Sequence, residues 1–90
     1  MITVIANIRL NNTRETPVFS LYRPAFFFET EEVKSGSIRL INTEIFEPGT
    51  EQIVFVDFIE SKFTKIKGGE KFEVQEGSNV IGQGKIISVL

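Results

Sequence analysis

Histidine, cysteine and tryptophan are absent from the 90 residues. Without imidazole or thiolate, the common zinc clusters and the Ser-His and Cys-His nucleophile pairs cannot be assembled. Lack of cysteine also excludes a disulfide framework. These absences remove most enzyme classes, so we expect no enzymatic activity, no metal and no cofactor. A reducing cytoplasm suits such a chain. No run approaches the ~20 apolar residues that cross a bilayer, and no membrane partner is expected. Met1 to Leu10 has neither a basic start nor an unbroken apolar stretch, which argues against a secretory signal. Strand pattern starting at the second residue leaves no leading linker and suggests a short gene product. A strong excess of either charge is also lacking. Ten basic residues against twelve acidic give a net charge of −2 and a pI of about 5.1. Nonspecific phosphate binding needs many lysine and arginine contacts. No DNA partner is expected, whereas a locally shaped RNA site is compatible with this balance.

What the chain does have is phenylalanine, nine in all. Four of them, and two of the three prolines, fall within Thr16 to Phe28. Proline fixes φ near −65° and removes a donor, so Pro17 and Pro24 bracket a bend. Beyond Pro24 a period of two places Phe26 and Phe28 on one face and Ala25, Phe27 and Glu29 on the other. Phe19, Tyr22, Phe26 and Phe28 would fill much of a small core, each phenylalanine removing roughly 150 Å² or more from water.

The rest of the chain reads as short strands and turns. Ile2, Val4, Ala6, Ile8 and Leu10 alternate strictly and predict a first strand over residues 2–10. Asn11 to Glu15 forms a turn. Strands are predicted over Val18–Tyr22, Ala25–Thr30 and Ser37–Ile41, followed by a loop to Phe46. Pro48 and Gly49 suit the central positions of a type II turn. Over Gln52–Glu60 the cost of burying Asp57 without a partner decides the register, so Val54, Val56 and Phe58 point inward. Ser61 to Lys71 is a basic loop. Phe72–Gln75 and Val80–Val89 form a hairpin around Glu76-Gly77-Ser78-Asn79. Gly82-Gln83-Gly84-Lys85 lacks the spacing and following helix of a phosphate loop. Its glycines instead allow a strand to bend or to cross closely. Six or seven short strands without helical periodicity indicate a single all-β domain, an antiparallel sandwich or barrel.

Thr16-Pro17-Val18-Phe19-Ser20-Leu21-Tyr22-Arg23-Pro24-Ala25-Phe26-Phe27-Phe28 resembles the start of the C-terminal β-barrel, domain 3, of elongation factor Tu and its archaeal and eukaryotic relatives. Val33 to Leu40 resembles that family's Val-Thr-Gly-Thr-Ile strand, and Glu47-Pro48-Gly49 its Met-Pro-Gly-Asp turn. Phe72 to Leu90 resembles its ending Phe-x-Ile-Arg-Glu-Gly-Gly-Arg-Thr-Val-Gly-x-Gly. The resemblance runs over essentially the whole chain. It implies a closed six-stranded antiparallel Greek-key β-barrel, and a binding module connected with translation that lacks the family's GTPase domain.

Two kinds of partner follow. In that family the hairpin tip meets the backbone of the tRNA T stem, which implies recognition of tRNA or another structured RNA by shape. Glu76, Gly77 and Ser78 would form the tip, with Lys34, Lys62, Lys65 and Lys67 supplying charge. The chain departs from the pattern at Ala25, at Glu60 or Lys62, at Gln75 and at Asn79, where the family carries glutamine or basic residues. The alternative is protein interaction through the outward apolar residues Phe27, Ile53, Phe55 and Ile59, with a translation-factor partner or by self-association. A relict domain of drifted function is a further alternative. Glu29, Glu31 and Glu32, adjacent carboxylates at a strand end, are expected to be solvated surface.

Overall fold

A computed structural model describes residues 1–59 and 66–90. Six strands make up the described chain: β1 Ile2–Leu10, β2 Ala25–Phe28, β3 Val33–Leu40, β4 Glu51–Phe58, β5 Lys71–Glu76 and β6 Asn79–Val89. They close into an antiparallel barrel in the order β1-β4-β3-β2-β5-β6. Strands β2, β3 and β4 follow one another as neighbours, while a long connection from β2 returns β1 to the far side of β4. That order is a Greek key. The closed, six-stranded, all-β architecture expected from the sequence is therefore present. Among the described residues no helix is long and apolar enough to cross a membrane.

Alternation places the core. Val4, Ala6, Ile8 and Leu10 of β1 and Val54, Val56 and Phe58 of β4 are all buried. The register argued from Asp57 thus holds on the described part of that segment. At one end of the barrel, four rings meet. Phe26 lies edge-on to Phe58 and to Phe72, with ring centres 5.3 Å apart in both cases. Phe28 tilts against the same two rings at 5.9 and 5.7 Å. Edge-to-face and tilted geometries bring the positive edge of one ring to the negative face of the next.

Glycine lets the barrel close on itself. Gly82 and Gly84 pair with Leu10 and Ile8 on the inward face of β1. A Cβ on Gly82 would stand 2.6 Å from the Arg9 carbonyl oxygen, and one on Gly84 would collide with the Asn7 carbonyl oxygen. The predicted close crossing is what these residues permit. Elsewhere, Gly49 at φ +79° with a bond from the Thr50 amide to the Glu47 carbonyl forms the expected type II turn. Gly77 and Ser78 connect β5 to β6, and only Gly77 has positive φ, as in a type II′ hairpin turn.

The greatest departure lies between the two prolines. Val18 to Tyr22 is not a strand. It makes two isolated bridges, Val18 to Phe46 and Tyr22 to Ile38. Leu21 between them turns the chain at φ +74°. That bend sends Phe19 outward, 54% exposed, whereas Phe46, predicted to lie in a loop, is fully buried. Paired bonds between Val18 and Phe46, at 2.9 and 2.8 Å, pull Phe46 onto the core in its place. Several boundaries also move, Lys71 among them, which opens β5 instead of ending the basic loop. β3 spans Val33–Leu40 rather than Ser37–Ile41, and β2 ends at Phe28 rather than Thr30.

Leu21 is doubly unfavourable, 72% exposed and in left-handed backbone. A left-handed L-residue costs about 1 to 2 kcal/mol, partly offset in glycine by its larger unfolded-state entropy. Leu21→Gly is expected to stabilise the barrel by about 0.5 kcal/mol, read as an increase in the urea midpoint at unchanged slope. Leu21→Ile should lower that midpoint, because a branched Cβ crowds this backbone further.

Candidate functional site

The tip of the β5–β6 hairpin is tied down from inside the molecule. Glu76 receives Arg14 on both carboxylate oxygens, at 3.2 Å from Nε and 2.9 Å from Nη2. The Tyr22 hydroxyl donates to the same carboxylate. Arg14 also donates to Thr16 and to the Pro17 carbonyl, and its guanidinium sits 5.3 Å from the centre of the Tyr22 ring. A single carboxylate therefore stitches the 11–24 connection onto the hairpin. Tyr22 belongs to the Tyr-Arg-Pro motif and Glu76 to the Glu-Gly motif, so two of the four stretches in which the sequence resembles that family are bonded to each other. A polar cleft of about 630 Å³ lies beside this network, edged by Ser78 and Asn79. Gly77 and Ser78 are exposed, but the Glu76 carboxylate is occupied.

Of the lysines expected to accompany the tip, the two among the described residues, Lys34 and Lys67, do not converge on it. Lys67 is exposed and precedes β5, while Gly77 follows it. The six residues of β5 place them on the order of 17 Å apart along the strand. Lys34 has the inward parity of β3, opposite Phe26, with its side chain 13% exposed and paired to Glu32 at 3.9 Å. Lys62 and Lys65, with Glu60, lie outside the described residues. Three other cations come together on the outer surface instead. Lys71 and Lys85 are direct cross-strand partners, and Arg9 pairs with Gln83 beside them. Glu51 lies opposite Arg9 and moderates that charge. Like charges directly opposed on neighbouring strands are destabilising, which is why their placement is informative.

Of the outward apolar residues, Ile53 and Phe55 share one face of β4 and Ile59 follows that strand, while Phe27 lies two strands away on β2. Ile53 is 53% exposed and Ile59 is 59% exposed. Phe55 is not a bare contact surface, because the Arg39 guanidinium stacks 4.7 Å from its ring centre. Asp57 holds that guanidinium, accepting from Arg39 Nε at 2.6 Å and Nη2 at 3.1 Å, and from the Thr3 hydroxyl at 2.6 Å. The Arg39 bond chiefly holds the Asp57 carboxyl below the usual carboxylate range, burial opposing and Thr3 assisting. With its native pKa depressed, Asp57 contributes stability that is complete above its unfolded value and lost as pH falls through the native one. Between pH ~5 and pH ~2 the wild type should lose about 1 kcal/mol more than Asp57→Asn, as measured by urea unfolding. Equal acid loss in both proteins would deny the pair a role.

Phe27 stands apart from those residues and lines an apolar concavity. Its register partners are Val33 on β3 and Glu73 on β5, and Glu73 is in turn opposite Gln83 on β6. Outward side chains thus form a row across four strands. Above Phe27 the β2–β3 hairpin turns through Glu29, Thr30 and Glu31, closed by bonds from the Glu31 amide to Phe28 and the Phe28 amide to Glu32. The resulting groove of about 630 Å³ has Phe27 and Val33 among its apolar walls and Glu29, Glu31, Glu73 and Lys71 among its polar ones. Glu29 and Glu31, expected to be plain solvated surface, are exposed and edge this groove.

A second apolar surface was not foreseen. Phe19, Leu21, Ile41 and Ile45 are all exposed, and the bridges joining residues 18–22 to Ile38 and Phe46 bring their loops together. The signal available in sequence was the pair of prolines around an apolar stretch, but its reading as strand concealed it. Among the described residues there is no group of His, Cys, Asp and Glu side chains able to hold a metal ion. No model of a known protein family matches the chain.

Proposed function

We propose that this barrel is a nonenzymatic, cytoplasmic protein-interaction module similar to the third domain of elongation factor Tu, connected with translation and docking its partner on the outer surface around Phe27. The observation that supports this reading is the groove between β3, β2 and β5. It is concave and has an apolar floor formed by Phe27 and Val33. Exposed Phe19 and Leu21 offer further apolar surface on the same molecule. The test is to titrate isotope-labelled protein with an elongation factor Tu fragment that lacks its own third domain. Saturable amide shifts around residues 25–33 and 71–75 are expected, and Phe27→Ser should remove them. Absence of any shift at high fragment concentration would sink the reading.

RNA recognition by shape is the second reading. Lys71, Lys85 and Arg9 on neighbouring strands favour it, with the exposed backbone at Gly77 and Ser78. It requires a tRNA acceptor and T-stem hairpin to bind saturably and to lose affinity by orders of magnitude between about 50 and 200 mM salt. Lys71→Glu with Lys85→Glu should then abolish binding.

A further inference from the structure

The groove beside Phe27 has a charge that selects among partners. Glu29, Glu31 and Glu73 edge it, against Lys71 as the cation among its walls. Among the described residues none of the three carboxylates makes an ion pair. Glu73 is the direct cross-strand neighbour of Phe27, so its carboxylate stem starts about 5 Å from that of the ring. Val33, 49% exposed, extends the apolar floor on the other side of Phe27. An apolar side chain seated here would have carboxylates on two sides.

Other occupants fit less well. A closed barrel presents no free strand edge, so a partner cannot simply add a strand and must insert side chains instead. Three carboxylates repel a phosphate backbone. What remains complementary is an extended segment with an apolar residue flanked by lysine or arginine. Ammonium and guanidinium groups would meet the carboxylates at the rim, where charge complementarity fixes register and speeds encounter.

We propose that this groove binds a basic, apolar-centred peptide segment of a partner protein, its apolar side chain on Phe27 and Val33 and its cationic side chains on Glu29, Glu31 and Glu73. The proposal rests on the reading of the barrel as a protein-interaction module, and names the chemistry of the partner.

The experiment uses fluorescence anisotropy of a labelled short peptide alternating lysine and leucine, beside a twin with glutamine in place of lysine. The intact chain should bind the lysine peptide saturably. Affinity should fall at least about tenfold in the Glu29→Gln, Glu31→Gln, Glu73→Gln triple variant, and again between about 50 and 200 mM salt. Glutamine is isosteric with glutamate, and an unchanged thermal melt would verify the fold of the variant. Phe27→Ser supplies an independent loss of the same binding. If both peptides bind equally and Phe27→Ser weakens both, the interaction module stands but its basic partner is overturned. If neither peptide binds and Phe27→Ser leaves association with the elongation-factor fragment unchanged, both readings fall. Saturable binding of the T-stem RNA hairpin to the wild type, measured directly and unchanged by Phe27→Ser, with no binding of the lysine peptide, would overturn the proposal in favour of nucleic acid.

Discussion

Gly84→Ala is expected to destabilise the barrel by about 3 kcal/mol, at the upper end of overpacking costs. A chain of this length has roughly 5 to 13 kcal/mol in total, so the loss should be visible as a large fall in the urea midpoint. The reason is geometric. The added methyl would collide with the Asn7 carbonyl oxygen on β1, and would stand 2.7 Å from Cζ of Phe72. The carbonyl belongs to the β1–β6 ladder and cannot swing away without breaking barrel closure. Phe72 cannot yield easily either, since it packs against both Phe26 and Phe28. Its ring occupies the space that the missing side chain leaves open. Gln83→Ala, one residue away on the exposed face, should stay within about 0.5 kcal/mol of wild type. Similar small effects for both substitutions would show that β6 can move off β1, contrary to the packing described.

Glu76→Ala should cost about 2 kcal/mol, the typical contribution of hydrogen bonds to a charged group. Removing this carboxylate leaves Arg14, whose side chain is 13% exposed, without its ion-pair partner. It also leaves the Tyr22 hydroxyl without its acceptor. The 11–24 connection would then be joined to the hairpin by fewer bonds. Tyr22→Phe should cost about 1 kcal/mol alone and much less in the Glu76→Ala background, since the two share one interaction. That coupling, read from urea unfolding of the four proteins, separates an internal tie from an external contact. Full stability of Glu76→Ala would return Glu76 to the solvent, and with it the hairpin tip to the RNA reading.

The same residue shows how the family pattern and the structure relate. Glu-Gly at a hairpin tip resembles an RNA-contacting motif, yet the Glu76 carboxylate faces Arg14 and Tyr22. Nothing in the spacing of Arg14, Tyr22 and Glu76 reveals that they meet, because two separate strand connections bring them together. Phe55 is similar. Its outward parity was legible from the cost of burying Asp57, but its cover was not. Arg39 lies on a different strand, and only the β3–β4 register places it opposite Phe55. Phe19 and Phe46 exchanged their expected roles for a local reason, the left-handed backbone at Leu21, which no preference of leucine would announce.

Alternation of apolar and polar residues by itself determined which side chains of β1, β4 and β2 face inward, since water excludes one face of each strand whatever its neighbours are. The lack of histidine and cysteine likewise set limits on chemistry that no packing can lift. Which outward residues stand together was decided only by closure of the barrel. Phe27 acquired Glu73 as a neighbour, Arg14 acquired Glu76, and Lys71 acquired Lys85, because strand order and register bring distant segments side by side. A sequence carries the period of each strand locally, whereas the partner opposite each residue depends on how all six strands meet.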